Sequence, residues 1–198
     1  MTSQDLTSQD LTSHDSTGCG RDRNVIVRGR WQDNLPPPGT CLMVADPVYG
    51  SPDTHELIRL AVSSGMPSLV FMMPEDVWGL PFKPDQLAHW VKPVSTKNTT
   101  RRYSRFVEAI AVYGASFHGG IHWSNRTGIF TDCLIEQDHE WKKPEPLIER
   151  LVRNHYWSPE RTGIVYDPCA GSGTVDTVCR RLGIPSFSVE SGDHPDSR

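Results

Sequence analysis

The sequence predicts an α/β fold built on a doubly wound, mostly parallel sheet. Three observations predict it. Continuous apolar runs at 42–45 and 69–73 have the pattern of strands covered on both faces, with shorter runs at 25–27 and 186–189. Stripes at helical spacing lie between the runs: Leu57, Leu60 and Ala61; Leu147, Ile148, Leu151 and Val152; Val175, Val178, Cys179 and Leu182. Turn residues separate run from stripe, so strand–helix–strand units with parallel crossovers follow. In such a sheet ligands gather beyond the C-terminal strand ends.

The elements follow in order. Residues 1–24 repeat TSQDL, TSQDL and TSHDS and hold too little apolar surface to offset chain entropy, which predicts a disordered tail. Residues 25–198 then form a single domain. Val25, Ile26 and Val27 make a first strand, and Pro36-Pro37-Pro38-Gly39 a loop. The 42–45 strand ends at Asp46, and Asp53 or Thr54 can cap the helix that follows. After the 69–73 strand, residues 74–84 are loop-rich and 85–90 suit a short helix or turn. Residues 107–113 alternate as a strand, 114–126 are glycine-rich and irregular, and 129–134 suit a further strand.

Composition excludes several classes. No run of 18 apolar residues and no basic-then-apolar leader occur, so neither a membrane span nor a secretory signal is expected, and a cytoplasmic location is. Five cysteines without a C-x-x-C pair suit reduced thiols better than disulfides or zinc. His118 and His122 are separated by Gly119-Gly120, which disfavours the helix that would align them on a metal, so no metal is expected. A net charge of −4 places any nucleic acid contact on a local patch. Lys92, Lys97, Arg101, Arg102 and Arg105 supply one, within a stretch lacking acids.

The stretch 165–190 carries the strongest chemical signal. An apolar strand stops at Asp167-Pro168. Gly171-Ser172-Gly173-Thr174 turns into a helix that ends at Gly183, and a second strand ends in Glu190. Glycines let backbone approach a ligand, and a helix N-terminus offers unpaired N–H groups. An acid ending the next strand can accept hydrogen bonds from two ribose hydroxyls. These are the parts of a nucleoside site.

Asp46-Pro47-Val48-Tyr49 is the second signal. Proline fixes φ and so aims its carbonyl. An exocyclic amine can donate one N–H to the Asp46 carboxylate and one to the Pro47 carbonyl, while Tyr49 stacks on the base. Taken alone, the tetrapeptide is equally a strand-ending turn with a structural tyrosine.

Together the two stretches resemble the amino-group DNA methyltransferases that use S-adenosylmethionine (SAM). That family's catalytic motif, Asp/Asn/Ser-Pro-Pro-aromatic, is similar to Asp46-Pro47-Val48-Tyr49. Its cofactor motif, Asp-Pro-Phe-x-Gly-Ser-Gly-Thr, is similar to Asp167-Pro168-Cys169-Ala170-Gly171-Ser172-Gly173-Thr174. Its Lys-Pro-x-x-Leu element is matched from Lys143 and Pro144 to Leu147, and its ribose-binding acid by Glu190. Trp90-Val91-Lys92-Pro93 and Glu108-Ala109-Ile110-Ala111-Val112-Tyr113 resemble the strands between. The order, catalytic motif first and glycine motif last, resembles the permuted β-type bacterial and phage group.

The resemblance spans roughly residues 40–190 and implies a Rossmann-like fold and SAM as cofactor. SAM would lie on Asp167, Pro168, Cys169, Ala170, Gly171, Ser172 and Gly173, with Glu190 on its ribose and Lys143 and Pro144 shaping the methionine side. Asp46, Pro47 and Tyr49 would be catalytic, and a base flipped from double-stranded DNA the substrate. Asp at the first motif position favours adenine N6. Cytosine N4, RNA adenine, or a catalytically weak SAM- or nucleic-acid-binding relative are the alternatives. Two departures bear on this: Val48 replaces the second proline and Cys169 replaces an aromatic. A short segment, about 114–136, remains for target recognition.

Overall fold

The computed structural model of the protein describes residues 23–92, 106–117, 127–132 and 142–192. The strands are β1 (Asn24–Arg28), β2 (Thr40–Ala45), β3 (Ser68–Met72), β4 (Gln86–Val91), β5 (Val107–Tyr113), β6 (Ile129–Phe130), β7 (Ile164–Asp167) and β8 (Ser186–Glu190). The α-helices are α1 (Asp53–Ser64), α2 (Glu145–His155) and α3 (Thr174–Leu182). Among the described residues the strands form one sheet in the order β1-β8-β7-β2-β3-β5-β4-β6. The run from β1 to β3 is parallel throughout, and β5 enters antiparallel between β3 and β4. This is the doubly wound, mostly parallel sheet that the sequence predicts.

The connections fix where a ligand can sit. From β7 the chain crosses through α3 to β8 on one side. From β2 it crosses through α1 to β3 on the other. Two right-handed crossovers that diverge from neighbouring strands place their helices on opposite faces. The core agrees. Leu147, Ile148, Leu151, Val175 and Val178 of α2 and α3 pack on Leu42, Val44, Leu69, Phe71 and Val165. Leu57, Ile58 and Ala61 of α1 pack on Met43, Ala45, Val70 and Tyr166. Alternate residues of β2 thus serve the two faces, which is why its apolar run is continuous. The divergence opens a crevice between β7 and β2 at their C-terminal ends.

Two local expectations change. Residues 85–90 are not a helix or turn: Gln86–Val91 is β4, zipped antiparallel to β5 with Trp90 opposite Glu108. Ala88 and Trp90 are buried while His89 is less so, the period of two that a strand requires. Neither Asp53 nor Thr54 caps α1. Pro52 holds the N-cap position without a side-chain bond, and the Asp53 N–H donates to Ser51 Oγ at 3.2 Å. Asp53 and Glu56 then lie in the first turn, where the helix dipole favours acids. Gly183 does end α3, with φ of 66° and its N–H bonded back into the last turn. No helix of the described residues is long and apolar enough to cross a membrane.

Candidate active site

Three adjacent parallel strands deliver the site. Asp167 ends β7, Glu190 ends β8, and Asp46 follows β2. In register, Tyr166 lies opposite Met43 and Asp167 opposite Ser188. Asp46 is therefore three residues past the paired position on β2, and Glu190 two past it on β8. Neighbouring strands are about 4.8 Å apart, so the three acids share one edge of the sheet. Burial first, and then the charges of Asp46 and Glu190 together with Asp176 of α3, push the Asp167 carboxyl upward.

At the front of the site Pro47 is buried and Val48 is 72% exposed. The Asp46 side chain keeps 30% of its surface. Lys143, just ahead of α2, reaches across to it. Its Nζ donates to Asp46 Oδ2 at 2.5 Å and to the Tyr49 hydroxyl at 3.2 Å, and stands 3.3 Å from Glu108 Oε2. The Tyr49 hydroxyl donates to Glu108 Oε2 at 2.6 Å and lies 3.3 Å from Asp46 Oδ1. Lys92 closes the cluster by pairing with Glu108 from the far side. Two carboxylates and two ammoniums balance, as a buried cluster requires.

Burial pushes the Asp46 carboxyl up, and Lys143 opposes that rise. Burial pulls on Lys143 in the opposite sense, yet Asp46 and Glu108 outweigh it and hold the ammonium above its ordinary value. Glu108 is also raised by burial, but Lys143, Lys92 and Tyr49 together bring it below the usual carboxylate range. The Tyr49 phenol is pushed well up by burial and by Asp46 and Glu108, so it stays a donor.

At the back, Gly171 and Gly173 take φ of 49° and 72°, and α3 starts at the next residue. These are conformations that glycine adopts without strain. The Cys169 N–H donates to Asp167 Oδ1 at 3.0 Å, and Asp167 and Pro168 are buried. Burial drives the Asp167 carboxyl up to about 8. Burial likewise keeps the Cys169 thiol protonated. Ala170 is buried and its N–H bonds to Val189 O at 2.8 Å, which pins the turn to β8. Ser172 and Thr174 share a hydroxyl bond of 3.0 Å, and Thr174 Oγ1 lies 3.5 Å from the Lys143 carbonyl. Lys143 thus touches the glycine turn with its backbone and Asp46 with its side chain. Pro144 caps α2.

Glu190 passes a test of fit for a ribose. Its Oε1 accepts the Gly192 N–H at 3.3 Å, while its Oε2 is buried without a hydrogen-bond partner. A buried acceptor without a donor is costly, and a ribose hydroxyl would supply one.

Of the predicted basic patch only Lys92 lies among the described residues, and it departs from expectation. It turns inward onto Glu108 and over the Trp90 ring, so it is not available to a phosphate. The register explains this: Trp90 faces Glu108, and Lys92, two residues on, falls on the same side. Lys97, Arg101, Arg102 and Arg105 lie outside the described residues, as do His118, His122 and most of the expected recognition segment. Glu108 is the residue that sequence reasoning missed as part of the site. The signal was present, since it is the one charge in the otherwise apolar run of β5.

No protein-family model matches the sequence, and no curated protein matches it significantly. Solved structures do match. M1.HpyAVI in complex with SAM aligns with 85% of this chain and 95% of its own, at a TM-score of 0.60 and 20% identity. TTHA0409 of Thermus thermophilus, complexed with S-adenosyl-L-methionine, covers 84% of this chain and 87% of its own, at 0.58 and 17%. The PvuII cytosine-N4-specific DNA methyltransferase covers 85% and 82%, at 0.56 and 13%. The protein therefore has the α/β fold of the SAM-dependent methyltransferases. Within that class its likeness is to the amino-group DNA methyltransferase fold, as the two sequence motifs imply.

Proposed function

We propose that this protein transfers a methyl group from SAM to the exocyclic amine of a DNA base, with adenine N6 as the acceptor. One observation carries the reading: β8, β7 and β2 bring Glu190, the glycine turn and Asp46 to one edge of the sheet, and Lys143 touches both halves. Asp167, Pro168, Cys169, Ala170, Gly171, Ser172 and Gly173 would hold the cofactor, with Glu190 on the ribose hydroxyls. Lys143 and Pro144 close the side towards α2. When bound, SAM supplies a methyl on a positively charged sulfur that leaves as a neutral thioether.

The chain's own groups orient the acceptor. Asp46 accepts one N–H of the target amine and the Pro47 carbonyl the other, which localises the nitrogen lone pair and aims it. As the N–C bond forms, the surplus amine proton passes to the Asp46 carboxylate and from its exposed side to water. Tyr49 presents its ring to the base from the same loop.

Topology supports an approach of the substrate from the Asp46 side. β4 ends and β5 begins at the Asp46 edge, because β5 runs antiparallel to β3. The basic run from Lys97 to Arg105 connects those two strands, and its four residues would meet phosphates. Trp78, in the turn that follows β3, is 92% exposed, and Val48, two residues past Asp46, is 72% exposed. An exposed indole is a stacking surface for a base.

Mass spectrometry of nucleosides after incubation with DNA and SAM tests the proposal. N6-methyladenine is expected, and N4-methylcytosine or methylated RNA alone would reassign the substrate. Asp46→Ala is expected to abolish transfer while SAM binding persists. Methyl incorporation at the wild-type rate in that variant would end the catalytic assignment.

A further inference from the structure

The hydrogens in the Asp46 cluster can be counted. An ammonium has three N–H bonds, and Lys143 Nζ has three acceptors within reach: Asp46 Oδ2, the Tyr49 hydroxyl and Glu108 Oε2. A phenol has one proton. At 2.6 Å to Glu108 against 3.3 Å to Asp46, Tyr49 gives it to Glu108. Asp46 Oδ2 is then fixed by a cation, while Asp46 Oδ1 keeps only a long contact to an oxygen whose proton is engaged elsewhere. Glu108 is 3% exposed and is itself anchored by Lys92, so Lys143 cannot drift from its place.

We infer that Lys143 and Glu108 are positioning residues for methyl transfer, locking the Asp46 carboxylate through Oδ2 so that Oδ1 alone meets the target amine. This inference rests on the proposed methyltransferase reading and adds two residues to it. Lys143 is moved from the cofactor side of the site to the acceptor side. Glu108, in an apolar strand, gains a reason to be charged: it supplies the third acceptor for the ammonium and the acceptor for the Tyr49 proton. The ammonium 2.5 Å away favours the ionised, accepting form of Asp46 against the burial that raises its carboxyl.

The test is the pH dependence of methyl transfer. The titratable groups around Asp46 are Tyr49 from its own loop, Lys143 ahead of α2, Glu108 from β5 with Lys92 behind it, and Asp167 with Cys169 at the end of β7. Activity requires ionised Asp46, so it falls on the acid side as pH drops through the Asp46 pKa. Removing the cation raises that pKa. Lys143→Met is expected to move the acid limb upward by about one pH unit or more. Lys143→Arg, which keeps the charge, is expected to leave the limb at its wild-type pH. A Lys143→Met profile that superimposes on the wild type, or a Lys143→Arg limb that moves with it, would overturn the inference.

Glu108→Gln is the milder second variant, since the amide oxygen still accepts from Lys143. It is expected to lower kcat about tenfold with the Kd for SAM unchanged, because only orientation of the acceptor side is lost. An unchanged kcat in Glu108→Gln counts against the inference. If the wild-type protein methylates no nucleic acid, the proposed function fails first. If it methylates and these variants behave as wild type, this inference fails alone.

Discussion

Replacing Asp167 with asparagine should stabilise the protein by an amount that grows with pH. Asp167 is buried at the end of β7, and the hydrogen bond it receives there is the Cys169 N–H at 3.0 Å. Burial first, and then the charges of Asp46, Glu190 and Asp176, carry its carboxyl from 3.8 up to about 8. Below pH 4 the group is protonated in both folded and unfolded chains and contributes nothing to the pH dependence. Between about 4 and 8 the unfolded chain releases the proton while the folded chain keeps it. Stability then falls by about 1.4 kcal/mol per pH unit and levels off above 8. At pH 7 the accumulated penalty is at most about 4 kcal/mol. Asparagine has the same shape, cannot ionise, and can still accept the Cys169 N–H. Urea unfolding of both proteins at pH 5, 6, 7 and 8 reads the effect. Every other titration occurs in both proteins, so the difference isolates this group. The expected result is a stability gap in favour of Asp167→Asn that widens steadily to pH 8. A gap that is flat with pH would refute the assignment of a neutral Asp167.

Two further perturbations test other parts of the structure. Trp78→Ala removes the exposed indole of the turn after β3. It is expected to weaken DNA affinity by the roughly 1–3 kcal/mol of a stacked base while leaving stability within about 0.5 kcal/mol, read by DNA titration and thermal unfolding. Unchanged affinity would remove Trp78 from the contact surface. Gly163→Ala would place its Cβ 2.7 Å from Cys41 Sγ and 3.1 Å from Ser158 Cβ. A cost of about 1–3 kcal/mol is expected by urea unfolding, and much of it should vanish in a Cys41→Ala background. Simple additivity of the two changes would contradict the stated clash.

The parts of the fold that were legible are those whose signal is local. The stripes of α2 and α3, the αL glycine after α3 and the continuous runs of β2 and β3 each carry their own period. β4 was not legible, because Gln86–Val91 has few β-branched residues and opens after Asp85, a residue that suits a helix start. Its strand character comes from β5, a pairing that no window on residues 85–90 contains. The same limit hid the fate of Lys92. Within its own stretch it is one of a series of cations without acids. Only the opposition of Trp90 and Glu108 across two strands shows that it faces inward.

For the site, legibility divides between what a residue is and what it meets. The glycine turn and the Asp46 motif are legible because each needs several residue types in a row, and adjacency on one edge follows from ending neighbouring parallel strands. Lys143 shows where that reasoning stops. Its match to the Lys-Pro element implies a place beside the cofactor, and its carbonyl lies 3.5 Å from Thr174 Oγ1. Its ammonium, however, lies on Asp46, 97 positions away in the chain. A lysine side chain is long enough to act some distance from its own backbone, so a motif fixes the backbone and leaves the charge undetermined. What determines the charge here is Glu108: with Asp46 it makes a two-carboxylate pocket that the ammonium can satisfy in full. Without that second acid the same backbone would leave Lys143 a choice of partners, and the orientation of Asp46 would be open.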